Sequence, residues 1–388
     1  MQPTEQASQQ PIHIREVILH TVNVSLQTPF TTSFGTMRTK DVCLVEVVDS
    51  SGISGWGETV TSDEPYYNEE TTYTATYILK DFLIPKVIGR DIAHPRDVHN
   101  MLTFVRRNNI AKAALETAIW DVFAKKNGQP LHALLGGEKE KIAVGKSIGI
   151  QASPEKLVEK VGQYVAEGFK KIKVKIAPGT DIAFIDAVRK QYPDIPLMAD
   201  ANSAYTLDDI AHLKRLDEYN LMMIEQPLAH DDIIDHATLQ KELQTPICLD
   251  ESIHSYEDAR KAIELGSCRI INIKIGRVGG LGESVRIHDL CKAHDIAVWC
   301  GGMLETGVGR AHNIHMTALS NFTLPGDTAP SSHYWEEDIV TPEITMKDGY
   351  IDVPNGPGIS YEVDRAKLEK VLLHSERIDS AHSPHPIP

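Results

Sequence analysis

The chain has 388 residues, 41% of them apolar, and a formal net charge of −15. That length suits about two domains at roughly 100–200 residues each, and the acidic balance argues against nucleic acid as a partner, because such binding needs a basic surface. No apolar run reaches the roughly 18 residues of a membrane span, and Cys43, Cys248, Cys268, Cys291 and Cys300 form no C-x-x-C pair, as expected of reduced thiols in a cytoplasmic protein.

Residues 1–11 are polar, lack an apolar signal core and read as a frayed leader. Residues 12–50 read as strands, and VCLVEVVDSSG meets a Ser-Gly turn. Residues 65–126 turn helical; the best helix is IAKAALETAIWDVFAKKNG, stopped at Gly128. LHALLGG marks a boundary, so an α+β domain is expected over 12–140.

From 141 to 330 short apolar runs alternate with helix-like segments: VGKSIGI, KIKVKI, IPLMADAN, LMMIEQP, PICLDES, RIINIKIG, AVWCGG and FTLPGD. Polar landmarks fall at Lys175, Asp200, Glu225, Asp250 and Lys274, spaced 25, 25, 25 and 24 residues apart. Steps of that length reach Ile150 behind and about 300 and 325 ahead. Eight equal βα units predict an α/β fold with a (β/α)8-type barrel. A leucine-rich repeat has a similar period, but its Leu/Asn consensus is missing. The landmarks all end their strands, on the face where such a barrel carries its active site. A single acid there could be a helix N-cap or a surface charge; five in register argue for a common purpose.

Asp200, Glu225 and Asp250 end the third, fourth and fifth strands, and neighbouring strands lie about 4.8 Å apart, so the three can converge on one ion. Carboxylate oxygens without Cys or His favour Mg²⁺ or Mn²⁺. Without a cation, such close carboxylates are expected to raise each other's pKa. Asn202 and Glu251 are candidates to support these ligands. Strand alternation lets only one of Asp250 and Glu251 point inward, and the register favours Asp250.

Lys173 and Lys175 share the inner face of the second strand. Alternatively, Lys171 and Lys173 belong to a solvated KKIKVK charge run. Lys274 ends the sixth strand, opposite the second in a ring of eight, with the carboxylates between. A substrate held on the ion would meet a lysine on each face, the layout for two-base proton transfer with the metal stabilising an enediolate. Arg277 is close enough in sequence to lower the pKa of Lys274, or is an ordinary loop arginine.

KVK (173–175), DAN (200–202), IEQP (224–227), LDES (249–252) and NIKIGRVGG (272–280) resemble the barrel-strand motifs of the enolase superfamily, muconate-lactonising branch. The resemblance runs from about residue 12 to 365. GWGE (55–58) is similar to that family's capping-domain loop. WCGGMLETGVGRAHN (299–313), LPGDTAPSSHYW (324–335) and IAPGTD (176–181) resemble its o-succinylbenzoate synthase / N-succinylamino acid racemase family. The chain lacks the seventh-strand His-Asp pair of mandelate-racemase-like members and the paired Asp of dipeptide epimerases.

The resemblance implies a capping domain built from 12–140 with residues 331–373 returning to it; the final HSERIDSAHSPHPIP (374–388), with its histidines and prolines, reads as a loose tail and not a metal site. The resemblance implies Lys175 as acid/base, Lys274 opposite, Lys173 and Arg277 as auxiliaries, and Asp200, Glu225 and Asp250 as Mg²⁺ ligands. It also implies a small carboxylate substrate and a homo-oligomer. The leading expectation is dehydration of a succinyl-hydroxycyclohexadiene carboxylate in menaquinone synthesis; the second is racemisation of N-succinylamino acids, with which an Arg at 277 goes in this family. A non-catalytic binding barrel is the third and fits the intact Lys–Asp–Glu–Asp–Lys series least.

By register Ser147 and Gly302, Met303 and Leu304 line the barrel mouth. Phe30, Thr31, Ser33 and Phe34, and separately Glu64, Pro65 and Tyr67, form loops that are either lids supplying specificity or plain surface. GRVGGLG (276–282) reads as a tight βα turn, and His312 and His315 as core or surface histidines without an H-E-x-x-H motif.

Overall fold

The computed structural model describes residues 9–32 and 35–380, with the side chains of 29–36 left out. Three strands open the chain: β1 (Ile12–Thr32) and β2 (Gly35–Asp49), rich in β-branched residues, and the short β3 (Ser54–Glu58). They pair antiparallel in that order, and Leu372–Asp379 joins β1 on its other side. The expected loose tail from 374 is therefore corrected: residues up to Asp379 form an edge strand. Its His, Ser, Glu and Arg residues suit a strand with solvent on one face, and this polarity hid it in the sequence.

Helix α1 (Asn109–Lys126) lies under this sheet, and every residue from Ala113 to Ala124 is buried. Its closeness to β3 explains the glycines of GWGE. A Cβ on Gly55 would stand 2.2 Å from the Val122 nitrogen, and one on Gly57 2.0 Å from the Ala114 oxygen. Only glycine admits backbone this near.

Seven parallel strands follow in chain order: β4 (Gly145–Ile148), β5 (Lys171–Lys175), β6 (Leu197–Asp200), β7 (Ile224–Glu225), β8 (Ile247–Leu249), β9 (Ile270–Ile273) and β10 (Ala297–Cys300). The eighth run, FTLPGD, is reduced to bridges that still close the ring. Phe322 pairs with Val298, Gly326 pairs with Val144, and the Asp327 N–H donates to the Cys300 carbonyl at 2.8 Å. The fold is thus α/β, an antiparallel capping sheet joined to a parallel barrel. Met198, Met223, Cys248, Ile270 and Trp299 form a buried apolar cluster contributed by successive strands within the barrel.

Candidate active site

Parallel pairing aligns Lys175 with Asp200 and Asp200 with Glu225, so three strands deliver their landmark side chains at one level. Asp250 and Lys274 directly follow β8 and β9. The result is an arc with a lysine at either end. Lys175 Nζ donates to Asp200 Oδ2 at 2.6 Å and also to Asn202; Lys274 Nζ donates to Asp250 Oδ2 at 2.8 Å. Asp200, Glu225 and Asp250 are buried.

Lys173 lies within the arc, 3.3 Å from both Asp200 and Glu225 and 2.7 Å from Asp327. Lys171, one step further down the same face, is fully buried over the Trp299 ring and 3.3 Å from Asp327. The solvated-run reading of KKIKVK is therefore wrong for both lysines. Asp327 and the inner face of β5 hold them as buried ion pairs, the usual condition for a charge inside.

Burial and the neighbouring Asp200 and Asp250 push Glu225 up to about 8. Asp200 and Asp250 move the other way. Burial raises both, but Lys175 and Lys173 hold Asp200 below the usual carboxylate range, and Arg277 and Lys274 hold Asp250 there. The expected mutual elevation thus survives only at Glu225. Lys274 also departs from expectation. Burial lowers it and Arg277 lowers it further, yet Asp250 and Tyr67 raise it more, so its net value goes up. Arg277 is aimed at Asp250: its guanidinium donates to that carboxylate, to the Ile253 carbonyl at 2.8 Å and to the Asn272 carbonyl at 2.6 Å.

Glu251 is buried beside Asp250, although alternation was expected to admit only one of them. The chain has left β8 at Leu249, so strand periodicity no longer applies. Glu251 Oε1 accepts from Asn202 at 2.8 Å, while Oε2 has no hydrogen-bond partner; burial and Asp250 push the group up to about 7.

Tyr67 reaches into the arc from the cap. Its hydroxyl donates to Asp250 Oδ2 at 3.1 Å and accepts from Lys274. Ser147 pairs with Lys173 across the strands and shares its inner face. Gly302, Met303 and Leu304 follow β10; a Cβ on neighbouring Gly301 would stand 2.6 Å from Lys274 Cε. Phe30 pairs with Met37 through its backbone, and its side chain lies outside the described residues, as do Ser33 and Phe34. His312 and His315 are buried core residues.

Two site residues escaped the sequence reading. Asn272 donates to Glu225 Oε1 at 2.8 Å and accepts from the Gly301 N–H at 2.7 Å. Its position two residues before Lys274 on one strand face was a usable signal. Asp327 had a weaker one, the polar end of the eighth run.

Residues 14–136 match the mandelate racemase/muconate lactonizing enzyme N-terminal domain, and residues 156–367 match the enolase C-terminal domain-like family. The chain belongs to the enolase superfamily, in its mandelate racemase/muconate lactonizing branch. It is 60% identical to an o-succinylbenzoate synthase of Geobacillus stearothermophilus, over 92% of this chain and 96% of that one. It is 47% identical to an N-succinylamino acid racemase of Thermus thermophilus, over 93% and 98%. An enolase superfamily structure from Listeria innocua superposes with a TM-score of 0.93 at 44% identity, covering 95% of this chain and 99% of that one. A dipeptide epimerase from Cytophaga hutchinsonii, complexed with Mg and a dipeptide, gives 0.87 at 26% identity, covering 95% and 100%.

Among the described residues no three His, Cys, Asp or Glu side chains form a ready metal cage. The ammonium groups of Lys173, Lys175 and Lys274 and the Arg277 guanidinium lie on the carboxylate oxygens instead. No helix is long and apolar enough to cross a membrane among the described residues.

Proposed function

We propose that the protein carries out the o-succinylbenzoate synthase reaction, the dehydration of a succinyl-hydroxycyclohexadiene carboxylate. The observation that carries this is the arc itself, a buried carboxylate row with Lys175 at one end and Lys274 at the other. The 60% identity to the Geobacillus synthase supports the choice of substrate.

Lys175 takes the proton from the carbon next to the carboxylate, and the C–H electron pair moves onto that carboxylate. The same lysine, now an ammonium, returns its proton to the departing hydroxyl on the same face. The electron pair flows back, the C–O bond breaks, and water and an aromatic ring result. Lys274 faces the other side of the substrate and contributes positive charge, and Lys173 adds a second charge deeper in the barrel. Asp200, Glu225 and Asp250 would hold a divalent cation, Mg²⁺ or Mn²⁺. The donor set fits, since all three are hard oxygens, Glu225 is elevated by burial and by the negative charge beside it, and Glu251 Oε2 is buried without a partner. When bound, that ion supplies electrostatic stabilisation of the substrate carboxylate. Asn202, Glu251 and Asn272 orient the ligands, and Ser147, Tyr67 and the Gly302–Leu304 strip border the substrate.

The decisive assay is turnover of the cyclohexadiene carboxylate by one purified sample with Mg²⁺, after chelation, and after Mg²⁺ or Mn²⁺ is restored. Activity should vanish with chelator and return with metal. Full activity in metal-free protein sinks the metal assignment, and no dehydration by loaded protein sinks the reaction.

A second reading, N-succinylamino acid racemisation, is favoured by Arg277. It anchors Asp250, which in turn holds Lys274, the base needed on the second face. The 47% identity to the Thermus racemase supports it, and the same sample should be assayed on both substrates. The family resemblance also supports a homo-oligomer, measurable by light scattering.

A further inference from the structure

Lys40 lies on β2, in the cap, and is 2% exposed. Its ammonium donates across the domain boundary to the carbonyls of Met303 at 2.9 Å and Leu304 at 3.1 Å. Glu305 grips the same short strip from the other side, its Oε1 accepting from the Met303 N–H at 2.9 Å. Glu58, from the cap motif GWGE, accepts from the Thr306 N–H at 2.9 Å and the Gly309 N–H at 2.9 Å. Between these grips Leu304 adopts φ +56°, a left-handed conformation that a branched residue rarely takes unless its surroundings enforce it.

The strip lies against the reacting groups. Gly301 is packed on Lys274, and Met303 Sδ would stand 3.6 Å from a Cβ on Gly276, between Lys274 and Arg277. Lys40 also belongs to the β1–β2 hairpin, paired with Val24. The opposite strand of that hairpin is tied to the barrel mouth as well, through Gln27 N–H to the Tyr334 carbonyl at 2.8 Å. An ammonium removed from water has a large desolvation cost, and here two main-chain carbonyls with Glu58, Glu305 and Asp63 nearby offset it only in part, so that burial still holds Lys40 below the usual lysine range. Two carbonyls of an irregular strip are an unusual use for such a group unless their position matters.

We propose that Lys40 is a positioning residue for substrate selection: it fixes the Met303–Leu304 main chain in its left-handed turn beside Lys274 and couples the cap hairpin to that strip. Substrate fit then depends on a cap lysine that has no contact with the reacting atoms. This rests on the dehydratase reading of the arc, since that reading places substrate against the strip.

The test compares Lys40→Met, Lys40→Gln and Lys40→Arg with the wild type, by steady-state kinetics and by hydrogen exchange of the 303–306 amides. In Lys40→Met the KM for the cyclohexadiene carboxylate should rise about tenfold with kcat within about threefold, because a misplaced contact strip weakens positioning while Lys175 and Lys274 remain. The 303–306 amides should exchange at least about tenfold faster, as a local opening, without a matching change elsewhere. Arginine, with its forked donors, should restore both readouts towards wild type, and Gln should fall between Arg and Met. If Met does not fold, the order of Gln against Arg carries the comparison. Folded Met or Gln variants with wild-type KM and wild-type exchange overturn the proposal. Parallel loss of kcat and folded fraction with KM unchanged also overturns it, since that marks a merely structural lysine. A wild type that never turns over the substrate defeats the reaction reading alone, because hydrogen exchange still reports on Lys40.

Discussion

Lys175 and Lys274 stand at equivalent ends of the arc in different surroundings. The Lys175 side chain is 22% exposed and touches Asp200 and Asn202, whereas Lys274 is 7% exposed and held by Asp250 and Tyr67. Lys175, open to the substrate, suits the proton-moving role. Lys175→Ala should lower dehydration and α-proton exchange by about 10²–10⁴, the usual range for a lost general acid–base, with a native circular dichroism spectrum. Near-normal turnover in that variant removes Lys175 from the mechanism. Arg277 touches Asp250 and two carbonyls, so besides its direct charge effect on Lys274 it acts on that lysine through Asp250. Arg277→Gln should therefore impair racemisation, which needs Lys274 to exchange protons, more than dehydration, which needs only its charge. In deuterated solvent the enantiomer whose α-proton faces Lys175 should go on exchanging. Equal losses in both reactions would reduce Arg277 to a support for Asp250.

At the scale of elements, β3 pressed on α1 sets how the cap meets the barrel. Glu58, at the end of β3, reaches the start of the helix Gly307–Thr317, so a shift in β3 displaces that helix and the strip before it. Gly57→Ala would put a methyl group 2.0 Å from the Ala114 oxygen, which is backbone and cannot rotate away. Overpacking of this kind costs typically about 1–3 kcal/mol, so the midpoint of urea unfolding should fall by a corresponding amount. An unchanged midpoint would mean that the sheet slides on the helix without loss. The helix was legible from the segment IAKAALETAIWDVFAKKNG and its Gly128 stop. The C-terminal edge strand was not, because an exposed strand of polar residues resembles a tail.

Across the whole molecule, Glu116 of α1 ties the cap to the barrel. It is 1% exposed and accepts from the Leu281 N–H at 2.7 Å, the Gly282 N–H at 2.8 Å and Trp120 Nε1 at 2.9 Å. Burial outweighs these bonds and pushes its carboxyl up to about 7. The folded state therefore binds more protons than the unfolded state between the ordinary Glu value, about 4.3, and about 7. Its contribution is fully present below that window and is lost as pH rises through about 7. Glu116→Gln does not titrate, so the wild type should lose on the order of 1–3 kcal/mol relative to the variant between pH 4.5 and 8. Melting temperatures of the two proteins across that range check this; a constant difference would show that Glu116 stays ionised throughout.

The sequence by itself determined the barrel, the order of its strands and the residues of the arc, because a 25-residue repeat with one polar landmark per unit admits few other arrangements and parallel pairing then fixes their level. Asn272 was within the same logic. What only the tertiary structure decided was everything made by segments far apart in the chain. Lys171 and Lys173 proved buried because Asp327, more than 150 residues on, pairs with them. Lys274 moved up because Asp250 and Tyr67 outweigh burial and Arg277. Lys40 proved to clamp a strip 263 residues away. Periodicity reports which face a side chain takes on its own element. The charge it meets there depends on which other elements pack against that face, and local sequence carries no record of it.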